Sequence, residues 1–535
     1  MKLTLEGIRD RAAWEAAGIT LPSYDVEAAR QASVAAPRWA HVGIGNIFRI
    51  FIGGIAEQLI AQGEPDVCIT CVEAFDFDVV EKIYRPYDNL VLGVTLHADG
   101  KVDKSVRGSL AQAIEANATV AEEWERLRKV FRAPSLQMVS FTITEKGYAL
   151  RGIDGSYLPF VAADIEAGLE RPTGAMAIVA SMLLERYRAG AVPLALVSMD
   201  NCSHNGEHLR EAVLEMVHAW AERGYVDQGF VDYVSDEGRV AFPWTMIDKI
   251  TPRPSEDVAA ALTADGVEGM DVVVTSKQTY IAPFVNAEGP QYLVVEDSFP
   301  NGRPALERGG VLLCDRETVD KSEKMKVTVC LNPIHTALCT YDCMLGYDLF
   351  ADGMADPQLR ALAELIGKVE GMAVVPNPGI LSPEAFLDEC LDERFPNPYL
   401  GDTSLRIATD ISQMVGIRFG ITVRSHMERG DSAELLGIPL AIAGWLRYLL
   451  ALDDEGKPME LAPEPMLDEL QAALAGIELG KPESVGDKLR PILSNERIFY
   501  VDLYEAGLGQ KIERLLAEEL AGPGAVRATL VRYLG

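Results

Sequence analysis

The chain has 535 residues, 48% hydrophobic and 24% charged, with a formal net charge of −31 at pH 7. That length exceeds one ordinary core and implies two large domains, and the composition leaves no room for extensive disorder. The negative charge argues against nucleic acid or an anionic membrane as partner, since both are polyanions.

No run approaches the roughly 18 apolar residues of a membrane span. The opening M-K-L-T-L-E-G-I-R-D-R lacks the apolar core of a signal peptide, so the expected location is cytoplasmic. Helix-like stretches at 9–17 and 26–32 form a lead-in. Trp39–Gly43 then reads as a short apolar strand running into Gly43-Ile-Gly45-Asn46-Ile47-Phe48-Arg49, with an amphipathic helix over 50–62. Strand, glycine turn and helix together open a dinucleotide-binding unit. Gly43 permits the turn, Gly45 admits the pyrophosphate, and the helix start offers free N–H groups. The third glycine of G-x-G-x-x-G is replaced by Phe48. The next strand, 66–72, ends at Glu73, where an acid binds an adenosine ribose and repels a 2′-phosphate, which favours NAD over NADP. Asp76 and Asp78 read as a solvated loop.

The eight cysteines are scattered through apolar segments. Cys68 and Cys71 lie in V-C-I-T-C-V, a buried-strand pattern without a second pair at zinc spacing, so no metal site is expected. Further strands are expected at 89–98, 137–144 and 194–198, and helices at 111–131, 175–189 and 207–223. The β/α alternation implies a mainly parallel, doubly wound sheet, whose ligands bind beyond the strands' carboxyl ends. Glu145 and Asn201 fall at such ends. Strand-like runs at 271–276 and 291–296 follow, and the turn-rich P-N-G-R-P of 300–304 is the expected linker. Beyond it nearly everything reads as helix: 321–349, 357–369, 382–391, 403–418, 432–452, 464–475, 496–506 and 509–521. The fold class is thus an α/β N-terminal Rossmann-like doubly wound domain, 1–304, followed by a mainly α-helical C-terminal domain, 305–535.

The stretch with most chemistry is K-S-E-K-M-K-V-T-V-C-L-N-P-I-H, from Lys321 to His335. A lysine desolvated on such a helix loses preference for its charged form and becomes a base for an alcohol. Asn332 and His335, three apart, lie about 60° apart around a helix and can hydrogen-bond one small ligand. Read alone, the stretch also suits a surface helix with a solvated lysine end. On a regular helix Lys326 and His335 are about 180° apart, while Lys324 lies about 20° from His335. A π-bulge next to Pro333 would absorb one residue and bring Lys326 round. Both lysines stand as candidates.

Seven segments in order resemble the polyol-specific long-chain dehydrogenase/reductase family, which includes mannitol 2-dehydrogenases and D-mannonate oxidoreductases. They are H-V-G-I-G-N-I-F-R (41–49), Y-D-N-L-V-L-G-V-T-L (87–96), T-I-T-E-K-G-Y (142–148), S-M-D-N-C-S-H-N-G (198–206), M-I-D-K-I-T-P (246–252), K-V-T-V-C-L-N-P-I-H (326–335) and R-F-P-N-P-Y-L-G-D-T-S-L-R-I-A (394–408). The resemblance implies a metal-independent, NAD-dependent dehydrogenase acting on a small sugar acid or polyol. Its site would be built across a domain cleft. Lys326 would be the general base, Asn201 and Asn332 would hold the reacting oxygen, and His335 would orient the substrate. Glu145, Asp248 and Arg406 would face the substrate, with Glu323 beside them. Three departures stand out: Lys326 precedes Asn332 by six positions rather than five, Met414 replaces a basic residue, and Lys249 replaces an arginine. The expected reaction is of the D-mannonate/D-fructuronate type. A mannitol-type polyol dehydrogenase and a non-catalytic NAD-binding sensor are the alternatives.

Overall fold

The apolar segments of the N-terminal part pair into one six-stranded sheet in the computed structural model, which describes residues 1–152, 154–169 and 171–535. The strands are β1 (Trp39–Val42), β2 (Ile69–Glu73), β3 (Leu110–Glu115), β4 (Met138–Phe141), β5 (Leu194–Ser198) and β6 (Val240–Ala241). Their order is β3-β2-β1-β4-β5-β6, and every pairing is parallel. This is the doubly wound dinucleotide-binding order, with its switch point between β1 and β4. The sheet is apolar on both faces because each is covered. Ala40 and Val42 pack with helices Ala175–Arg188 and Asn205–Glu222, while Trp39 packs with helix Gly53–Ala61 on the other side.

Three expectations change in the first unit and at its end. The stretch 111–131 is not one helix: Leu110–Glu115 is β3, and the helix spans only Ala121–Arg132. Its Ala, Gln and Glu favour helix, but pairing with β2 (Cys71↔Ala113, Val72↔Ile114) overrides local preference. The strand at 89–98 leaves the main sheet: Val91–Leu96 pairs antiparallel with Val102–Arg107 in a separate four-stranded sheet. Third, the segment 300–304 is a turn within the first unit, which comprises Met1–Leu96 and Gly100–Asp320. Strand Leu312–Cys314 pairs with Tyr292–Glu296, and Gly309 lies so close to Ile55 that a Cβ would sit 2.6 Å from its Cγ2. Residues 305–320 therefore close the first unit rather than open the second.

The second unit, His97–Asp99 with Lys321–Gly535, is helical. Helix α1 (Arg316–Met325) leads into α2 (Asn332–Leu345), which packs against α4 (Gly437–Tyr448); α3 (Ile421–Arg429) lies between them in sequence. Close approach is set by Gly444, where a Cβ would meet the Tyr341 ring at 2.4 Å. The expected helix 496–506 is shorter, Glu496–Phe499, ended by Tyr500 at φ 61°. Four stretches of this unit have π geometry: Lys326–Cys330, Leu365–Gly371, Cys390–Arg394 and Gly416–Gly420. Among the described residues no helix is long and apolar enough to cross a membrane.

Candidate active site

The lysine segment resolves at its π-turn. Lys326 opens that turn, and the Leu331 N–H donates to its carbonyl five residues back at 3.1 Å, after which His335 returns to the four-back pattern on Leu331. The cause is readable in the chain. Pro333 has no N–H to give to the carbonyl five back, Thr328. The Thr422 hydroxyl on α3 donates to that carbonyl instead, at 3.0 Å. Two lysines that sequence could not separate now differ sharply: Lys326 is 2% exposed, whereas Lys324 is exposed. Glu323 is 9% exposed on the turn before.

Asn332 begins α2, and its Oδ1 is enclosed with no donor in reach among the described residues. The His335 ring sits edge-on to Phe350 at 4.7 Å and tilted against Phe395 at 4.8 Å, which fixes its plane. Arg406 is exposed and ion-paired with Asp402 on its own turn.

In the first unit the glycine turn follows β1. Gly43 has φ +90°, and a Cβ there would lie 2.2 Å from the Thr142 carbonyl oxygen, so glycine is obligatory. At Gly45 a Cβ meets nothing within 4 Å, so the backbone faces open space at the start of helix 46–61. That is the cradle a pyrophosphate needs, and these residues fit a dinucleotide. Asn46 and Ile47 are half-buried at the helix start. Phe48, in place of the third glycine, is fully buried and stacks on His41 at 4.1 Å, within a π-turn Phe48–Ile52. Burial drives His41 down to about 3, so it is neutral; its ring contacts the Ser140 and Thr142 hydroxyls.

Several expected cofactor contacts are corrected. The Arg49 side chain has no exposed surface: it donates to the Ala282 carbonyl and to Asn46 Oδ1, and burial lowers its pKa to about 10. The side chains of Phe48 and Arg49 therefore hold the turn from inside. Glu73, 7% exposed, accepts from the N–H groups of Phe75, Asp76 and, at 3.4 Å, Ile44, so it braces the loop after β2 against the glycine turn. Burial raises its pKa while those three donors pull it back. Asp76 is not solvated: at 4% exposure it accepts from the Thr275 and Thr279 hydroxyls at 2.6 Å each. Asp78 accepts from the Ser276 N–H and from Lys82.

Beyond β5, Asn201 is exposed on the loop leading to helix Asn205–Glu222. Two neighbours that sequence reasoning passed over hold this loop. Asp200 accepts from the Ile143 and Thr144 N–H groups and from the Tyr148 hydroxyl. Burial raises its pKa; those donors oppose the shift. Asn205 clamps Thr245 through both amide ends. The signal was present in the polar run M-D-N-C-S-H-N-G, which carries more hydrogen-bonding groups than a turn needs. Glu145 is exposed at the start of helix Glu145–Tyr148, behind Thr144 at φ 62°. Asp248 is 6% exposed and ends strand Thr245–Asp248. Lys249 donates to the Glu288 carbonyl at 2.9 Å.

Two family models match the chain, the mannitol dehydrogenase Rossmann domain over residues 37–308 and the mannitol dehydrogenase C-terminal domain over 318–517. Among curated proteins it is 48% identical to a D-mannonate oxidoreductase of Thermotoga maritima, covering 100% of this chain and 99% of that one. It is 30% identical to a polyol:NADP oxidoreductase of Gluconobacter oxydans, over 86% and 88% of the two chains. Among solved structures it is similar to Pseudomonas fluorescens mannitol 2-dehydrogenase in a ternary complex with NAD and D-mannitol. The TM-score is 0.70 at 24% identity, over 100% of this chain and 99% of that one.

Proposed function

We propose, from the premise that this chain belongs to the mannitol dehydrogenase family and is a dehydrogenase acting on CH–OH groups, that it interconverts a sugar acid of the D-mannonate type and its ketone with NAD(H). The observation that carries the substrate class is the end-to-end 48% identity to a D-mannonate oxidoreductase. NAD supplies the hydride acceptor or donor when bound. The open backbone at Gly45 supports its pyrophosphate site. In oxidation, Lys326 in its neutral form takes the hydroxyl proton as the carbinol hydrogen leaves as hydride and the C=O bond forms; in reduction it returns that proton. The burial of Lys326 supports this role over the exposed Lys324, because loss of water disfavours the charged form of an amine. Asn332 and Asn201 hold the reacting oxygen, His335 orients the neighbouring hydroxyls, and Glu145, Asp248 and Arg406 are the remaining substrate contacts. Location in the cytoplasm belongs to the same reading.

A polyol such as mannitol is the second reading, favoured by the polyol:NADP oxidoreductase relative. The test is turnover on D-mannonate, D-fructuronate, mannitol and fructose with NAD(H) and NADP(H), followed by nicotinamide absorbance. Higher kcat/KM for the acid pair with NAD(H) supports the proposal. Turnover of polyols alone refutes the substrate, and a preference for NADP(H) refutes the cofactor.

A further inference from the structure

We propose that Arg418 binds the substrate's carboxylate and is the residue that makes this site prefer a sugar acid to a neutral polyol; this rests on the reading above. The helix that carries Arg418 is tied to the catalytic segment. The π-turn Gly416–Gly420 packs against both the π-turn of Lys326 and α2, and it runs straight into α3. Its opposite side is pinned: a Cβ at Gly420 would fall 1.8 Å from the Phe499 carbonyl oxygen, and one at Gly416 2.7 Å from that of Ile498. Two side chains four residues apart then reach the catalytic segment. Thr422 donates to the Thr328 carbonyl inside the Lys326 turn, and Arg418 Nη1 donates to the Thr336 hydroxyl at 2.5 Å. Thr336 lies one helical turn beyond Asn332 and next to His335, so the guanidinium stands beside the stripe that carries the proposed oxygen donors.

What sets Arg418 apart is its lack of an anion. Among the described residues no carboxylate pairs with it, and the polar side chain it bonds is a neutral hydroxyl. Burial holds its pKa below the ordinary arginine value, and the nearby Cys339 thiol opposes that shift. A half-buried guanidinium with a fork of free donors is costly unless an anion meets it, and its planar fork matches a carboxylate. Three other cations are engaged. Arg406 pairs with Asp402, Arg424 donates to the Tyr500 carbonyl in an exposed position, and Lys249 donates to the Glu288 carbonyl. A carboxylate at Arg418 would leave the hydroxyl-bearing carbons of the same chain toward Asn332 and His335.

The test compares D-mannonate with its neutral amide, using the full-length enzyme and NAD. In Arg418→Gln, KM for mannonate should rise about 10- to 150-fold while kcat/KM for the amide stays within about threefold, the loss expected for one charge-assisted hydrogen-bonded pair. Arg418→Lys should recover part of the loss on the acid only. Thr336→Val, which frees the guanidinium from its anchor, should shift the acid-to-amide ratio in the same direction and serves if the glutamine variant does not fold. Equal loss on both substrates, or on neither, overturns the assignment. Wild-type enzyme that does not discriminate acid from amide overturns it too, while leaving the dehydrogenase reading intact. Absence of any turnover in the wild type would sink that reading first.

Discussion

Replacing Glu519 with glutamine should remove an alkaline weakness of the helical unit. Glu519 ends helix Gly509–Glu519 with no exposed surface. Its Oε1 is 2.7 Å from the Tyr341 hydroxyl, which is also 2.7 Å from the Leu440 carbonyl oxygen. A phenol has one proton, so both contacts are hydrogen bonds when Tyr341 donates to Leu440 and Glu519 is itself the donor, as a protonated carboxyl. Burial pushes Glu519 from 4.5 up to about 8. With its folded pKa above the unfolded one, its contribution is fully present below about pH 4.5 and is lost as pH rises through about 8. At 1.36 kcal/mol per unit, the 3.5-unit difference (8 − 4.5) amounts to about 5 kcal/mol at pH 8 and above, roughly 3 at pH 7 and under 1 at pH 5. Glutamine stays neutral, its amide N–H can donate to Tyr341, and its oxygen takes the place of the unpartnered Oε2. Glu519→Gln should therefore raise the melting temperature of the helical unit by roughly 10–20 °C at pH 8, at about 2–4 °C per kcal/mol, and change it little at pH 5. Thermal melts of both proteins across pH 5–9 check this. A shift that is the same at every pH, or a fall at pH 8, would refute the argument.

Lys326→Ala should lose on the order of 10²–10⁴ in kcat with dinucleotide binding intact, while Lys324→Ala stays near wild type; steady-state kinetics and a binding titration decide it. Thr422→Val strips the hydroxyl that serves the Thr328 carbonyl, and should cost about 1–3 kcal/mol while lowering kcat more than it raises KM. The two glycines of the turn should part company. Gly43→Ala meets the Thr142 carbonyl at 2.2 Å and should fail to fold normally, whereas Gly45→Ala should keep its melting temperature and weaken NADH binding, read by fluorescence titration.

What the sequence made legible was what short-range rules control. The β/α alternation placed β1, β4 and β5 and the helices behind them, since such strands are buried on both faces and read as apolar runs. The mismatch between Lys326 and His335 on a regular helix, beside a proline, pointed to the π-turn that is present. Less legible was whatever depends on a distant partner. The run A-Q-A-I-E becomes β3 only because β2 pairs with it. Glu73 reads as a ligand acid and Asp76 as a solvated loop residue, and neither reading could foresee the Ile44 N–H that meets the one or the two threonine hydroxyls, from residues 275 and 279, that meet the other. Arg418 gave no local signal at all, because its meaning lies in the acids that are missing around it.

A turn closed five residues back stores one residue more than the helix around it requires. Loss of a single codon at Leu365–Gly371 or Cys390–Arg394 could be absorbed by reversion to ordinary α geometry, where the same loss in a regular helix rotates its whole distal face by about 100°. Between Lys326 and Asn332 the same reversion would give a five-residue spacing and keep the amine on its face, whereas a residue lost from the regular helix after Asn332 would swing His335 by about 100°. Drift in length is thus tolerated at the turns closed five back and filtered in the regular helices between them.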